Sequence, residues 1–263
     1  MLKKLLKYDL ENVYKVLVVF YGLSIFFSIL SRIFLNIENS FIISIIGKIC
    51  SGTTIAMIFN ILINNLMRLW VRFKRNFYGD ESYLTHTLPV DKKKLYLSKT
   101  LTSIITLLSS VVVIVLSLFI AYYSKENIEL IKNLLLPLAN AYDSTIIGII
   151  LAFVFVCFLE LMNILQSGYA GIVLGNMKNN NKMMFSILLG LGTYLLTQIF
   201  TIIIVFGVAL FNKELMNLFY TMDTLNVDTI KLCIYLAIII YSLNIFILYF
   251  INSKLFNKGV NVD

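Results

Sequence analysis

Glu160 holds the most chemistry in this chain because of its surroundings. It lies inside an apolar run, 144–174, with Asn163 three residues on and Gln166 three beyond that. On a helix the spacing i, i+3, i+6 keeps all three near one face. An ionisable group at such depth costs at least about 2.5 kcal/mol unless it is paired or wetted. Two readings fit. The stripe lines a translocation path or acts as a proton-coupled switch, with Asn60 and Asn64 as further path candidates. Alternatively it is an interhelical hydrogen-bond cluster, with Glu160 protonated or bonded to Asn60, Asn64 or Asn244. Thr193, Thr197, Thr201 and Gln198 form a weaker polar ridge, of a kind that more often glues helices together than binds a ligand.

Other chemistries find no foothold. Nothing fits G-x-x-x-x-G-K-[ST], and the lone Gly47-Lys48 pair lacks its upstream glycine and falls inside an apolar run. His86 is the single histidine, which excludes H-E-x-x-H and most histidine metal sites. It reads as an ordinary loop or interface residue, with a pH-sensitive contact as the alternative. Cys50, Cys157 and Cys233 are odd in number and sit in apolar runs without partner ligands, so they read as packing residues. No catalytic residue, metal or cofactor is assigned, and the chain is not expected to be an enzyme.

The elements that must hold these residues are membrane helices. The 263 residues are 59% hydrophobic with a mean hydropathy of +0.88, and only 14% are charged. A soluble domain averages about 25% charged residues. Period-two alternation is absent, which leaves helices as the way to satisfy the backbone in lipid. The expected fold class is all-α: a polytopic membrane protein and a single transmembrane domain over 1–263. Six spans are expected at 13–35, 41–66, 101–123, 144–174, 183–211 and 229–251. Residues 1–12 place Leu2, Leu5, Leu6 and Leu10 on one face, which reads as an amphipathic helix lying on the membrane surface. No small-x-small cleavage site follows the first apolar run, which reads as a retained anchor. A short surface helix is expected before Pro137.

The net charge of +8 sorts by side. With the N-terminus inside, sixteen of the twenty-two Lys and Arg residues fall on the cytoplasmic side. The other six are Arg32, Lys48, Lys125, Lys132, Lys213 and Lys231. The positive-inside rule therefore puts both termini in the cytoplasm of a multi-pass cell-membrane protein. The basicity is topological and does not point to nucleic acid; part of the excess can hold anionic membrane lipids. Half of the inner cations crowd into one stretch, 67–100: Arg68, Arg72, Lys74 and Arg75 open it, and Lys92, Lys93, Lys94 and Lys99 close it. Arg68 to Arg75 reads as the second span continuing as a basic helix, broken at Gly79. A compact element with apolar knobs follows, and Asp91 caps the next helix. A mere connector needs only a few residues, so this stretch suits docking into a groove on another protein.

The segment FYGDESYLTHTLPVDKKKLYLSKTL at 77–101 resembles the loop after the second span in permease subunits of type 2 ATP-binding-cassette exporters, of the small bacterial kind. The opening MLKKLLKYDL, the segment GYAGIVLGNMKNNNK at 168–182 and the tail KLFNKGVNVD are similar in order and place. The resemblance implies six spans pairing into a dimer around a central path, as a homodimer or with a similar permease. It implies a separate cytosolic ATPase subunit that carries the ATP. Residues 1–12 would be the connecting helix, and the coupling helix would lie in 77–94. The implied ATPase contacts are Phe77, Asp80, Glu81, Tyr83, Leu84, Thr85, Leu88 and Pro89. A peptide, an antimicrobial or a lipid-like molecule is the expected cargo. Glu160 matches no feature of that family. The alternatives are a proton-coupled secondary transporter using Glu160, which would carry inverted repeats and broken helices, and a membrane immunity or scaffold protein with no transport cycle.

Overall fold

The structure, a computed structural model, describes residues 2–37, 41–220 and 227–258. Among the described residues the chain is built from helices without a strand. They are α1 (Leu2–Leu35), α2 (Phe41–Tyr78), α3 (Ser82–Thr87), α4 (Lys92–Tyr122), α5 (Lys125–Ala141), α6 (Ile146–Gly175), α7 (Lys182–Ala209), α8 (Lys213–Tyr220) and α9 (Val227–Lys258). Six of them (α1, α2, α4, α6, α7 and most of α9) are long and apolar enough to cross a membrane. The all-α, six-span class expected from composition is what the chain adopts.

One of the expected boundaries differs in an instructive way. The segment 1–12 is not set off from the first span: α1 runs unbroken from Leu2 to Leu35. No glycine or proline falls between Leu2 and Tyr21, and its buried residues Asp9, Val13 and Leu17 follow at four-residue steps through the junction. The helix α2 has 38 residues, about 57 Å at 1.5 Å per residue, well beyond the ~30 Å of hydrocarbon. Its basic last turns are the continuation that the sequence predicts. The helix before Pro137 is present too, and α5 carries that proline inside it.

The chain divides into two compact units, Met1–Leu130 and Ile131–Asp263. In the first, α1 packs on α2 and α4. The contact between α1 and α4 is a seam of small hydroxyl residues. Ser24 donates to Ser117 at 2.9 Å, and Tyr21 shares hydrogen bonds with Ser109 at 3.1 Å and Ser110 at 2.8 Å. Asn65 of α2 reaches the same Ser110 at 2.8 Å. Small residues let the helix backbones approach, and the hydroxyls replace partners that hydrocarbon cannot offer.

In the second unit α6 packs on α7 and α9. Here the approach is closer still. A Cβ placed on Gly171 would run into the Gly190 backbone and the Ser186 carbonyl, and one on Gly175 would run into the Ser186 backbone. Gly171 and Gly175 on α6 therefore face Ser186 and Gly190 on α7, a small-xxx-small crossing written on both helices. The αL conformation of Asn181, at φ 51°, starts α7 after the short polar turn.

Candidate functional site

The basic stretch folds as a hairpin, α2–α3–α4, with its apex at the short helix α3. Gly79 closes α2, and its carbonyl accepts from the Ser82 N–H at 2.9 Å to start the turn. Asp91 caps α4 as expected, its carboxylate accepting from the Lys93 N–H at 3.3 Å. Between these two stops, α3 has one buried residue, Ser82. Tyr83 is 75% exposed and Leu84 68% exposed. Leu88, Pro89 and Asp80 are exposed as well, while Thr85 is half-buried and donates to the Glu81 carbonyl at 2.9 Å. Glu81 pairs with Arg75 at 2.9 Å, pinning the turn back onto α2.

Phe77 occupies the opposite position from the one assigned to it as an outward contact. It is fully buried, 0% exposed, with its ring edge-on to Phe73 at 4.9 Å between centroids. Phe73 in turn meets Tyr96 of α4 edge-on at 6.0 Å. The reason is helical register: Leu69, Phe73 and Phe77 lie at four-residue steps, which carries the inward face of the span through the basic turns. His86 folds back so that Nε2 lies 3.2 Å from the Phe77 carbonyl. The apex of the hairpin is thus fastened to its base by Phe77.

Beneath this aromatic cluster is an ion cluster that sequence reasoning missed. Asp9 is only 4% exposed. Its Oδ1 accepts from Arg72 at 2.9 Å and from Lys99 Nζ at 2.7 Å. In the orientation that satisfies both of its groups, the Asn76 amide accepts from Lys99 at 3.1 Å and donates to the Arg72 carbonyl at 2.7 Å. Lys99 also lies 5.7 Å from the Phe77 ring centroid. One carboxylate therefore joins α1, α2 and α4. Removing one partner of a buried cluster strands the others, so such a group locks a geometry more than it adds net stability. A usable signal was present: Asp9 is one of the few acids in a lysine-rich opening and sits on its leucine face.

In the second unit Glu160 belongs to a hydrogen-bond cluster, with partners other than those anticipated. Its Oε1 accepts from the Tyr194 hydroxyl at 2.7 Å and from the Gln198 amide at 3.0 Å, both on α7. Tyr241 of α9 faces the same carboxylate. Glu160 makes no ion pair with a described residue. Asn163 donates to Thr197 at 3.1 Å, Asn244 to Thr201 at 3.2 Å, and Asn252 to the Gln166 carbonyl at 3.0 Å. The expected ridge on α7 and stripe on α6 meet, and α9 closes over them. Asn60 and Asn64 lie in the first unit and donate along their own helix, to the carbonyls of Ala56 at 3.0 Å and Asn60 at 2.9 Å. Asn244 is likewise bonded to Thr201 rather than to Glu160.

No protein-family model, curated protein or solved structure matches the chain. What it is therefore rests on its own geometry: six membrane-crossing helices, an anchored hairpin with an exposed apolar apex, and a polar cluster at depth around Glu160.

Proposed function

We propose that the chain is the membrane-spanning permease subunit of an ATP-binding-cassette exporter, worked through the hairpin α2–α3–α4 by a separate cytosolic ATPase. The carrying observation is the contrast within that hairpin. Tyr83 and Leu84 stand out on α3, while Phe77 directly behind them is wholly buried. A pair of large exposed side chains on a short rigid helix fits a groove on a partner. Phe77, Arg75–Glu81 and the Asp9 cluster give a push on α3 a stiff route to the ends of α1, α2 and α4. Discrete rearrangement of packed helices is how such a push becomes opening and closing.

On this reading both termini and the hairpin face the cytoplasm, two copies or two similar chains form the path, and ATP is bound on the partner. A peptide, an antimicrobial or a lipid-like molecule is the proposed cargo. The decisive experiment is purification of the membrane complex followed by identification of the co-purifying ATPase. Y83A/L84A should abolish stimulation of its ATPase activity while leaving the chain folded. Labelling of a Tyr83→Cys variant by an impermeant thiol reagent from outside the cell would overturn the reading.

A second reading draws on Glu160. A carboxylate held at depth by neutral donors is the form that a proton-coupled transporter would use. Glu160→Gln separates the two. If it abolishes transport with ATPase coupling intact, proton coupling gains; if transport persists, the cluster serves packing. Activity of the chain in cells lacking any partner ATPase would favour a scaffold or immunity role over both.

A further inference from the structure

We propose that the pocket between α1 and the basic turns of α2 is a headgroup site for an anionic phospholipid, with Arg68 and Arg75 holding its phosphate. The pocket has a volume of about 320 Å³ and is lined by Arg68, Arg72 and Arg75 from α2 and by Asn12 from α1. The three arginines follow at i, i+4 and i+7, so one helix face presents all of them. Asn64 and Asn76 add amide groups to the same walls. Guanidinium groups match phosphate oxygens in pairs, which makes arginine the side chain suited to this role.

Charge balance calls for an anion here. Arg68, Arg72, Arg75 and Lys99 cluster against two carboxylates, Asp9 and Glu81. Asp9 is divided between Arg72 and Lys99, and Glu81 serves Arg75. Arg68 makes no ion pair with a described residue. The cluster therefore keeps a surplus of two positive charges, with Lys99 only 8% exposed. Partly buried charge without a counter-charge is costly, and an anion beside Arg68 and Arg75 offsets that cost.

The neighbouring side chains select a lipid over a free phosphate. Met67 and Val71 line the pocket too, and both are exposed. They end a run at four-residue steps, Ile55, Phe59, Ile63, Met67 and Val71, in which every residue is exposed. This stripe leads from the apolar part of α2 to the arginines. A lipid with an acyl chain along the stripe puts its phosphate in the pocket, gaining contact at both ends at once. The inference depends on the helix crossing a membrane, and holds whatever the hairpin couples to.

The test uses the full chain in nanodiscs of phosphatidylcholine with increasing phosphatidylglycerol, with bound lipid counted by native mass spectrometry after extraction. Wild type should retain phosphatidylglycerol over phosphatidylcholine and gain thermal stability with it. R68Q/R75Q should weaken retention at least tenfold, whereas K93Q/K94Q, which removes the same charge from exposed positions outside the pocket, should not. Met67→Glu keeps every cation and places a repelling charge at the pocket mouth. It should also lose the lipid, which covers the case in which R68Q/R75Q fails to fold. Equal retention of the two lipids overturns the proposal, as does R68Q/R75Q matching K93Q/K94Q. Equal stabilisation by inorganic phosphate alone would make this a free-phosphate site and also overturn it.

Discussion

The two units solve the burial of polar groups in opposite ways. The first concentrates full charges at one end of its helices: Arg72 and Lys99 each lie within 2.9 Å of one Asp9 carboxylate oxygen. The second buries a polar cluster in mid-helix and keeps cations out of it, holding Glu160 with a phenol and an amide. The contrast follows depth. Near the end of a span, water and headgroups keep ionised groups tolerable. At mid-span, neutral donors on one oxygen of a carboxyl group hold it without adding a second buried charge. The first arrangement is suited to locking three helix ends together, the second to gluing helices or passing a proton.

The comparison makes graded predictions. The largest effect belongs to Asp9→Ala, which strands two cations; it should cost about 3–5 kcal/mol, read as loss of monodisperse protein and a large fall in Tm in detergent. A Tm close to wild type would mean that the ion cluster is not structural. Next comes Gly171→Leu. Its side chain has no room against Gly190 and Ser186, and overpacking of this kind costs about 1–3 kcal/mol, measurable by thermal unfolding of the same preparation. Glu160→Ala should follow at about 1–3 kcal/mol, since it leaves Tyr194 and Gln198 without their acceptor. Glu160→Gln, which keeps an acceptor in place, should cost less than Glu160→Ala by the same measurement. If Gln proves as damaging as Ala, the second cluster depends on charge and the contrast between the units fails. The smallest effect on stability is expected from Y83A/L84A, within about 0.5 kcal/mol because neither side chain is packed. Under the proposed function the same variant should carry the largest loss of ATPase coupling, checked by assaying the chain reconstituted with the co-purified ATPase.

Much of the fold could be read from hydropathy alone, since long apolar segments must be helices in lipid. The ends of α6 and α7 fall within two residues of the expected spans at 144–174 and 183–211. The break at Gly79 and the Asp91 cap were also legible, because glycine and an N-cap carboxylate act over a few residues. Phe77 is buried rather than turned outward for a specific reason. Its neighbours in the sequence are polar, but its neighbours in space are Phe73, Lys99 and His86, and only helix register across the basic turns brings these together. Glu160 stands out in the sequence as an acid inside an apolar run, but its partners do not. Tyr194 and Gln198 lie 34 and 38 residues away, on a helix whose rotation is fixed by the Gly171–Gly190 contact.

By itself the sequence determined the number of crossings, the helical class and the crowding of cations into one stretch, because each follows from local composition and the demand that lipid places on the backbone. Tertiary structure alone decided which charges meet, which aromatic ring is anchor and which is exposed, and which donors hold Glu160. Those depend on the relative rotation of packed helices, and a turn of one helix by about 100°, a single residue step, exchanges an inward side chain for an outward one.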